Sequence, residues 1–309
     1  MLTATVLALL VGVTAPPAAA GKPPRGPISG FVLARASDPA RTIVSMADGT
    51  WVATFTDGAS TAVVAGPEVT LTEPDVTAQV RSKVRVRVLP SPFGGTVDLA
   101  WLDAARKDTS PDVLQQALQY AAGAPTVERD GLLWHSDASY GPLQADGTRQ
   151  EGSDWNDYQG VTATYGDTTD RPDAAQYGSL DCSGFMRTLW GVRNRIPLSL
   201  DMTGAALPRR AWQQLDSAPG VVVERNRGTQ VTDFGRLQPG DLVFFDAATD
   251  DGTAIDHVGM YLGLDTLGQH RFVSSRKSID GPTMGDYRGR STLNGIGLYA
   301  MAFRAVRRL

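Results

Sequence analysis

The chain has 309 residues, enough for one large domain or two smaller ones and ample to bury a core. Its 42% apolar and 20% charged residues are ordinary for a water-soluble protein, and a net charge of −4 gives no electrostatic footprint for nucleic acid. Thirty-three glycines and nineteen prolines imply many turns and long loops, and a single cysteine excludes an internal disulfide.

Residues 2–13 form an uncharged apolar run, too short to span a membrane, that gives way to small residues and prolines. The pattern reads as a secretory signal cleaved near Ala20, although no Lys or Arg precedes it. Residues 1–20 are therefore set apart from the fold. No later stretch could cross a membrane and no cysteine near Ala20 could carry a lipid, so a soluble, extracellular mature chain is expected. In an exported chain the lone Cys182 is a reactive thiol or an intermolecular link.

Residues 21–95 read as a mobile leader to about residue 40, then a small β region. Residues 50–56 alternate between Asp48-Gly49 and Asp57-Gly58, and residues 60–65 supply a hairpin partner. Residues 80–88 alternate strictly, with Arg81, Lys83, Arg85 and Arg87 on one face and valines on the other. That basic stripe is either a solvated sheet face or a contact for an anionic polymer.

Helices are expected from residue 97. A short one covers 97–105, and Ser110-Pro111-Asp112 opens another, with Ser110 as cap and Pro111 in the first turn. Residues 124–178 read as a polar, loop-like insert holding Trp134, Tyr140, Trp155, Tyr158, Tyr165 and Tyr177, aromatics that either line a substrate groove or pin the loop to the body. Next comes a helix beginning at Cys182, capped by Asp181 or Ser179 and apolar at Phe185, Met186, Leu189 and Trp190. A thiol in a first helical turn faces unpaired N–H groups, which favour the thiolate. A buried structural cysteine is the competing reading. A helix at 207–215 and strands at 242–245, 255–262, 271–275 and 298–306 complete an α+β layout: helices packed on an antiparallel β-sheet, preceded by the small β region.

Cysteine catalysis needs a thiolate, a base and a group that orients the base. Of three histidines, His135 lies in the insert, His257 on the strand after 242–245, and His270 just before the next strand. The segments Asp181-Cys182-Ser183-Gly184-Phe185, Leu237-Gln238-Pro239-Gly240-Asp241-Leu242-Val243-Phe244-Phe245 and His257-Val258-Gly259-Met260-Tyr261-Leu262-Gly263 resemble, in order, the motifs of NlpC/P60 cell-wall cysteine peptidases. The resemblance covers residues 110–309 and implies a papain-like fold over 96–309. It implies Cys182 as nucleophile and His257 as base. It also implies hydrolysis of amide bonds in peptidoglycan stem peptides, commonly after D-γ-glutamate, by a secreted, wall-associated enzyme.

Two features depart from the family. The orienting position, usually His, Asn or Gln, falls on Ser274, with His270 the alternative two residues before Phe272. The insert replaces a short approach to the cysteine, and the family's helper tyrosine has no clear counterpart, Tyr177 being nearest. Asp181 and Ser183 either contact the ends of the substrate peptide or cap the helix. No metal-ligand spacing, phosphate loop or dinucleotide fingerprint occurs, so no cofactor is expected. A thiol acyltransferase or amidase of the same fold, or a non-catalytic wall-binding protein, are the competing functions.

Overall fold

The computed structural model describes residues 30–248, 251–285 and 291–309. The signal-sequence reading of residues 1–20 lies outside them. Five strands come first: β1 (Phe31–Ala36), β2 (Arg41–Met46), β3 (Trp51–Thr56), β4 (Thr61–Leu71) and β5 (Val80–Val88). They form one antiparallel meander. Asp57-Gly58 makes the expected β3–β4 turn, with Gly58 at φ +81°. The leader expected up to residue 40 is shorter than that, because β1 pairs with β2 from Phe31↔Met46 to Ala36↔Arg41.

The basic stripe on β5 is a solvated face over only half its length. Only Arg81 and Lys83 are exposed. Arg85 is buried and donates to the Pro67 carbonyl at 2.6 Å, under the bulge of β4 between Ala65 and Val69. Arg87 donates to the Asp108 and Ser110 carbonyls.

Helix α1 (Leu99–Lys107) is capped by Asp98, and α2 (Val113–Ala117) by Asp112 rather than Ser110. The Asp112 carboxylate meets two needs at once: it accepts from the Gln115 N–H at 3.1 Å and from the Val86 N–H at 2.9 Å, tying the helix start to β5. The insert is more ordered than its polar composition suggests. It contains the hairpin β6 (Val127–Arg129) with β7 (Leu132–His135), helix α3 (Trp155–Gln159), and the hairpin β8 (Ala163–Tyr165) with β9 (Thr168–Asp170). Tyr140 and Tyr158 are buried, so these aromatics fix the insert to the body, while Tyr177 is exposed.

Helix α4 (Cys182–Arg187) continues into a π-helical turn, Thr188–Arg193. Helix α5 (Ala211–Ser217) starts four residues later than expected, after Pro208. The second sheet comprises β10 (Val221–Glu224), β11 (Leu242–Phe245), β12 (His257–Leu264), β13 (His270–Arg276), β14 (Gly281–Thr283) and β15 (Phe303–Arg308), in the order β10-β15-β11-β12-β13-β14, with every adjacent pair antiparallel. Residues 298–306 are not one strand: Leu298–Ala302 is helix α6, as its Leu, Ala and Met content favours, and the strand begins at Phe303.

One core joins the two halves. Phe185, Met186, Leu189 and Trp190 pack with Val258, Met260 and Val273 of the second sheet and with Val63, Leu71, Val80 and Val86 of the first. A second apolar cluster, including Phe245, Tyr261, Phe272 and Phe303, covers the opposite face of the second sheet.

Candidate active site

Cys182 opens α4 against the N-terminal end of β12. Asp181 caps the helix through the Gly184 N–H at 2.8 Å. Gly184 is required by close approach: a Cβ there would stand 2.2 Å from the Ser153 carbonyl oxygen of the insert. The Cys182 Sγ lies 3.9 Å from the Asp256 carbonyl and is also met by the Val258 N–H, so the sulfur sits beside the backbone that carries His257.

A recess of about 770 Å³ contains Cys182, Asp181 and Ser183, with Arg210 and Trp212 on its α5 wall. An adjoining recess of about 240 Å³ contains His257, Arg276 and Tyr299. Tyr140, Glu151, Ala248, Asp256 and Lys277 line both, so the two form one groove with those residues at the junction.

The His257 ring packs on Tyr299 with centroids 4.8 Å apart, and the Arg276 guanidinium lies over the Tyr299 ring at 5.4 Å. His257 Nε2 and Ser274 Oγ are both buried without a hydrogen-bond partner among the described residues. The register Met260↔Val273 and Tyr261↔Phe272 sets Gly259 opposite Ser274, on the face that His257 shares. A Cβ on Gly259 would be 3.1 Å from that of Ser274, so the missing side chain leaves the diagonal from Ser274 to His257 open. His270 is engaged elsewhere. It pairs with Leu264, its Nδ1 bonds the Tyr261 hydroxyl at 2.8 Å, and it stacks on Phe234 at 4.4 Å. Ser274 lies four positions further along β13, about 13 Å away. His135 is buried against Tyr120 in the insert.

The electrostatics reverse one expectation. Burial pushes the Cys182 thiol up to about 12, with Asp181 adding to the effect and the Val258 N–H and Arg209 only partly opposing it. Burial, then Arg276, pushes His257 down to about 3 against the pull of Asp181. The helix-start preference for a thiolate is therefore overridden by desolvation, and the groove holds a neutral thiol and a neutral imidazole.

Asp181 is fully engaged: it accepts from Gly152 N–H, Gly184 N–H, the Ser183 hydroxyl and two Arg209 N–H groups. Arg209 also donates to Ser183 Oγ at 2.7 Å and lies 3.6 Å from Asp154. Asp154, in turn, pairs with the fully buried Arg187 at 2.9 Å. Sequence reasoning missed this network. One signal was available: a charged Arg187 inside an apolar helix needs a buried partner. Of the insert's aromatics, Tyr140 is the one that lines the groove: its phenol is pushed up by burial and by the neighbouring Cys182, and it stands by the nucleophile where exposed Tyr177 does not. Asp246, Asp251 and Asp256 bring carboxylate oxygens within 4.8 Å of one another, close enough to meet on a cation. Asp256 already accepts from Ala247 and Ala248 N–H, and Asp246 pairs with Arg304.

Residues 160–290, which include Cys182, His257 and Ser274, match the NlpC/P60 family model. Solved structures also align. One is a Staphylococcus aureus protein described as similar to lipoprotein, NLP/P60 family, at 19% identity and a TM-score of 0.29, over 70% of this chain and 50% of that one. The others are NlpC1 and NlpC2 of Trichomonas vaginalis, at 15% identity and TM-scores of 0.32 and 0.31, over 92% of this chain and 78% and 82% of theirs. The chain thus spans half the length of the Staphylococcus protein. The comparison with curated proteins gives no match.

Proposed function

Because residues 160–290 form an NlpC/P60 domain, a family that acts on peptidoglycan, we propose that this protein is a secreted cysteine peptidase of the cell wall. Its substrate is the peptidoglycan stem peptide, and the bond cleaved joins D-γ-glutamate to the following diamino acid. The arrangement is read as papain-like, with a nucleophile on a helix facing a base on a sheet. The observation that carries the reading is the Cys182 sulfur against the backbone of residues 256–258, in the groove that also holds His257.

The chemistry starts from the neutral pair. As Cys182 Sγ bonds to the scissile carbonyl carbon, His257 takes the thiol proton. The oxyanion is met by the N–H groups at the start of α4, where Asp181 has taken up that of Gly184 but not that of Cys182. The imidazolium then protonates the leaving amine, the C–N bond breaks, and a thioester remains. Water, losing a proton to His257, attacks the thioester and releases the acid and the thiol. Ser274 Oγ and His257 Nε2, each without a partner among the described residues, are the two groups that would pair to orient the imidazole as the groove engages substrate. Asp181 and Ser183 shape the nucleophile's wall through Arg209. Among the described residues no helix is long and apolar enough to cross a membrane.

Digestion of purified peptidoglycan, read by mass spectrometry, tests the proposal. The wild type should release muropeptides with a new amine and a new carboxyl at the glutamyl bond, and Cys182→Ala should release none. Equal digestion by the two proteins would remove Cys182 from the chemistry.

A further inference from the structure

The groove junction carries an ion pair that the reaction does not use. Lys277 Nζ lies 2.5 Å from Glu151 Oε1, and both side chains are about half exposed, at 49% and 56%. Glu151 comes from the insert and Lys277 from the residue after β13, so the pair spans the groove between the Cys182 and His257 recesses that both residues line. The two walls are held side by side by a second pair, Arg149 with Asp280 at 2.8 Å, and by the Tyr140 N–H donating to Asp280 at 3.1 Å.

Three of the neighbouring charges are committed, while Arg210 stands exposed at the α5 side of the Cys182 recess. Arg276 donates to the Thr283 and Gly285 carbonyls and to Ser291, Arg209 is paired with Asp181, and Asp256 accepts from two backbone N–H groups. Half-exposed ion pairs contribute little stability, so a substrate group can exchange with one partner at small cost.

We propose that Lys277 reads a free carboxylate close to the scissile bond, and that Glu151 holds it at rest and gives it up when an anionic substrate enters. The ligand class is a γ-glutamyl amide with its α-carboxylate unmodified, a group attached only three carbons from the scissile carbonyl. The inference rests on the peptidase reading above. It adds a selection: a stem peptide whose α-carboxylate is converted to the carboxamide leaves the Lys277–Glu151 pair closed and is a poor substrate.

Two synthetic peptides, L-Ala-γ-D-Glu-diamino acid and its α-carboxamide twin, test it. The wild type should favour the acid by about tenfold in kcat/KM, the scale of one charge-assisted hydrogen bond. Lys277→Met should bring the ratio to about one by slowing the acid alone, and Lys277→Arg should restore most of the preference. Glu151→Gln, which removes the resting competitor, should lower KM for the acid. Equal wild-type rates on both peptides, or a Lys277→Met loss that is the same on both, would overturn the inference while leaving the peptidase reading intact. Cleavage of neither peptide by the wild type would overturn the peptidase reading and this inference with it.

Discussion

His257 is the residue whose surroundings make the sharpest demand on pH. Its ordinary value is 6.5, and burial and Arg276 bring it to about 3. Between these values the unfolded chain binds a proton that the folded chain refuses, so stability is intact above about pH 6.5 and falls as the pH drops towards 3. Lys277 and Arg276 both oppose the imidazolium, and Asp181, held by Arg209, favours it too weakly to reverse the sign. The phenylalanine variant His257→Phe keeps a ring against Tyr299 and removes the titration. Its loss of unfolding free energy between pH 7 and pH 4.5 should be smaller than that of the wild type by about 2 kcal/mol. Chemical denaturation of both proteins at the two pH values measures this, and equal losses would mean that the imidazole takes its proton without strain.

At the scale of elements, the insert and α4 are joined through charge. Asp154 caps α3, and its carboxylate meets Arg187 at a site where the two side chains are 2% and 0% exposed. Arg187 also donates to the Ser199 and Leu207 carbonyls and to the Tyr165 hydroxyl, so one guanidinium ties α4 to β8 and to two points of the segment before α5. Removing one partner of such a pair leaves an uncompensated charge, so Arg187→Met should cost about 3–5 kcal/mol, and adding Asp154→Asn should recover part of it. A cost under about 1 kcal/mol in urea titration would show that Arg209 alone satisfies Asp154. The same elements show what a sequence can and cannot reveal. β3, β4, β5 and, in the second sheet, β11, β12 and β13 were legible because alternation, short apolar runs and Asp-Gly or Pro-Gly turns are local signals, whereas the short β10 and β14 were not. So were Cys182 and His257, which sit in contiguous motifs. The insert was not legible: α3 and its two hairpins are five residues or fewer per element, too short for periodicity to show. Tyr140, Glu151 and Lys277 reach the groove, and Arg209 reaches Asp181, only through tertiary contacts between distant segments. The thiol's charge state was misjudged for a related reason: the helix start is written in the sequence, and its burial is not.

For the whole molecule, the question is whether the N-terminal sheet is a separate module. Val63, Leu71, Val80 and Val86 belong to the same apolar cluster as Leu114, Trp190, Leu242 and Met260. Polar ties run across the same boundary. Thr61 Oγ1 donates to the Leu309 carbonyl at 2.5 Å, Arg308 donates to Thr56 Oγ1 at 2.8 Å, and the buried Glu73 accepts from Thr283 and from the Met284 N–H at 2.8 Å. At roughly 1.5–3 kcal/mol per buried Val or Leu, those four side chains alone supply on the order of 6–12 kcal/mol, comparable to the entire stability of a typical domain. The intact protein should therefore unfold in a single thermal transition, and a chain of residues 96–309 should fail to fold, lacking near-UV circular dichroism and wall-degrading activity. Two resolved transitions, with activity surviving the first, would instead make the N-terminal sheet an independent attachment. The Glu73 contact would then be decoration on β14, although it lies one strand away from the one that bears Ser274.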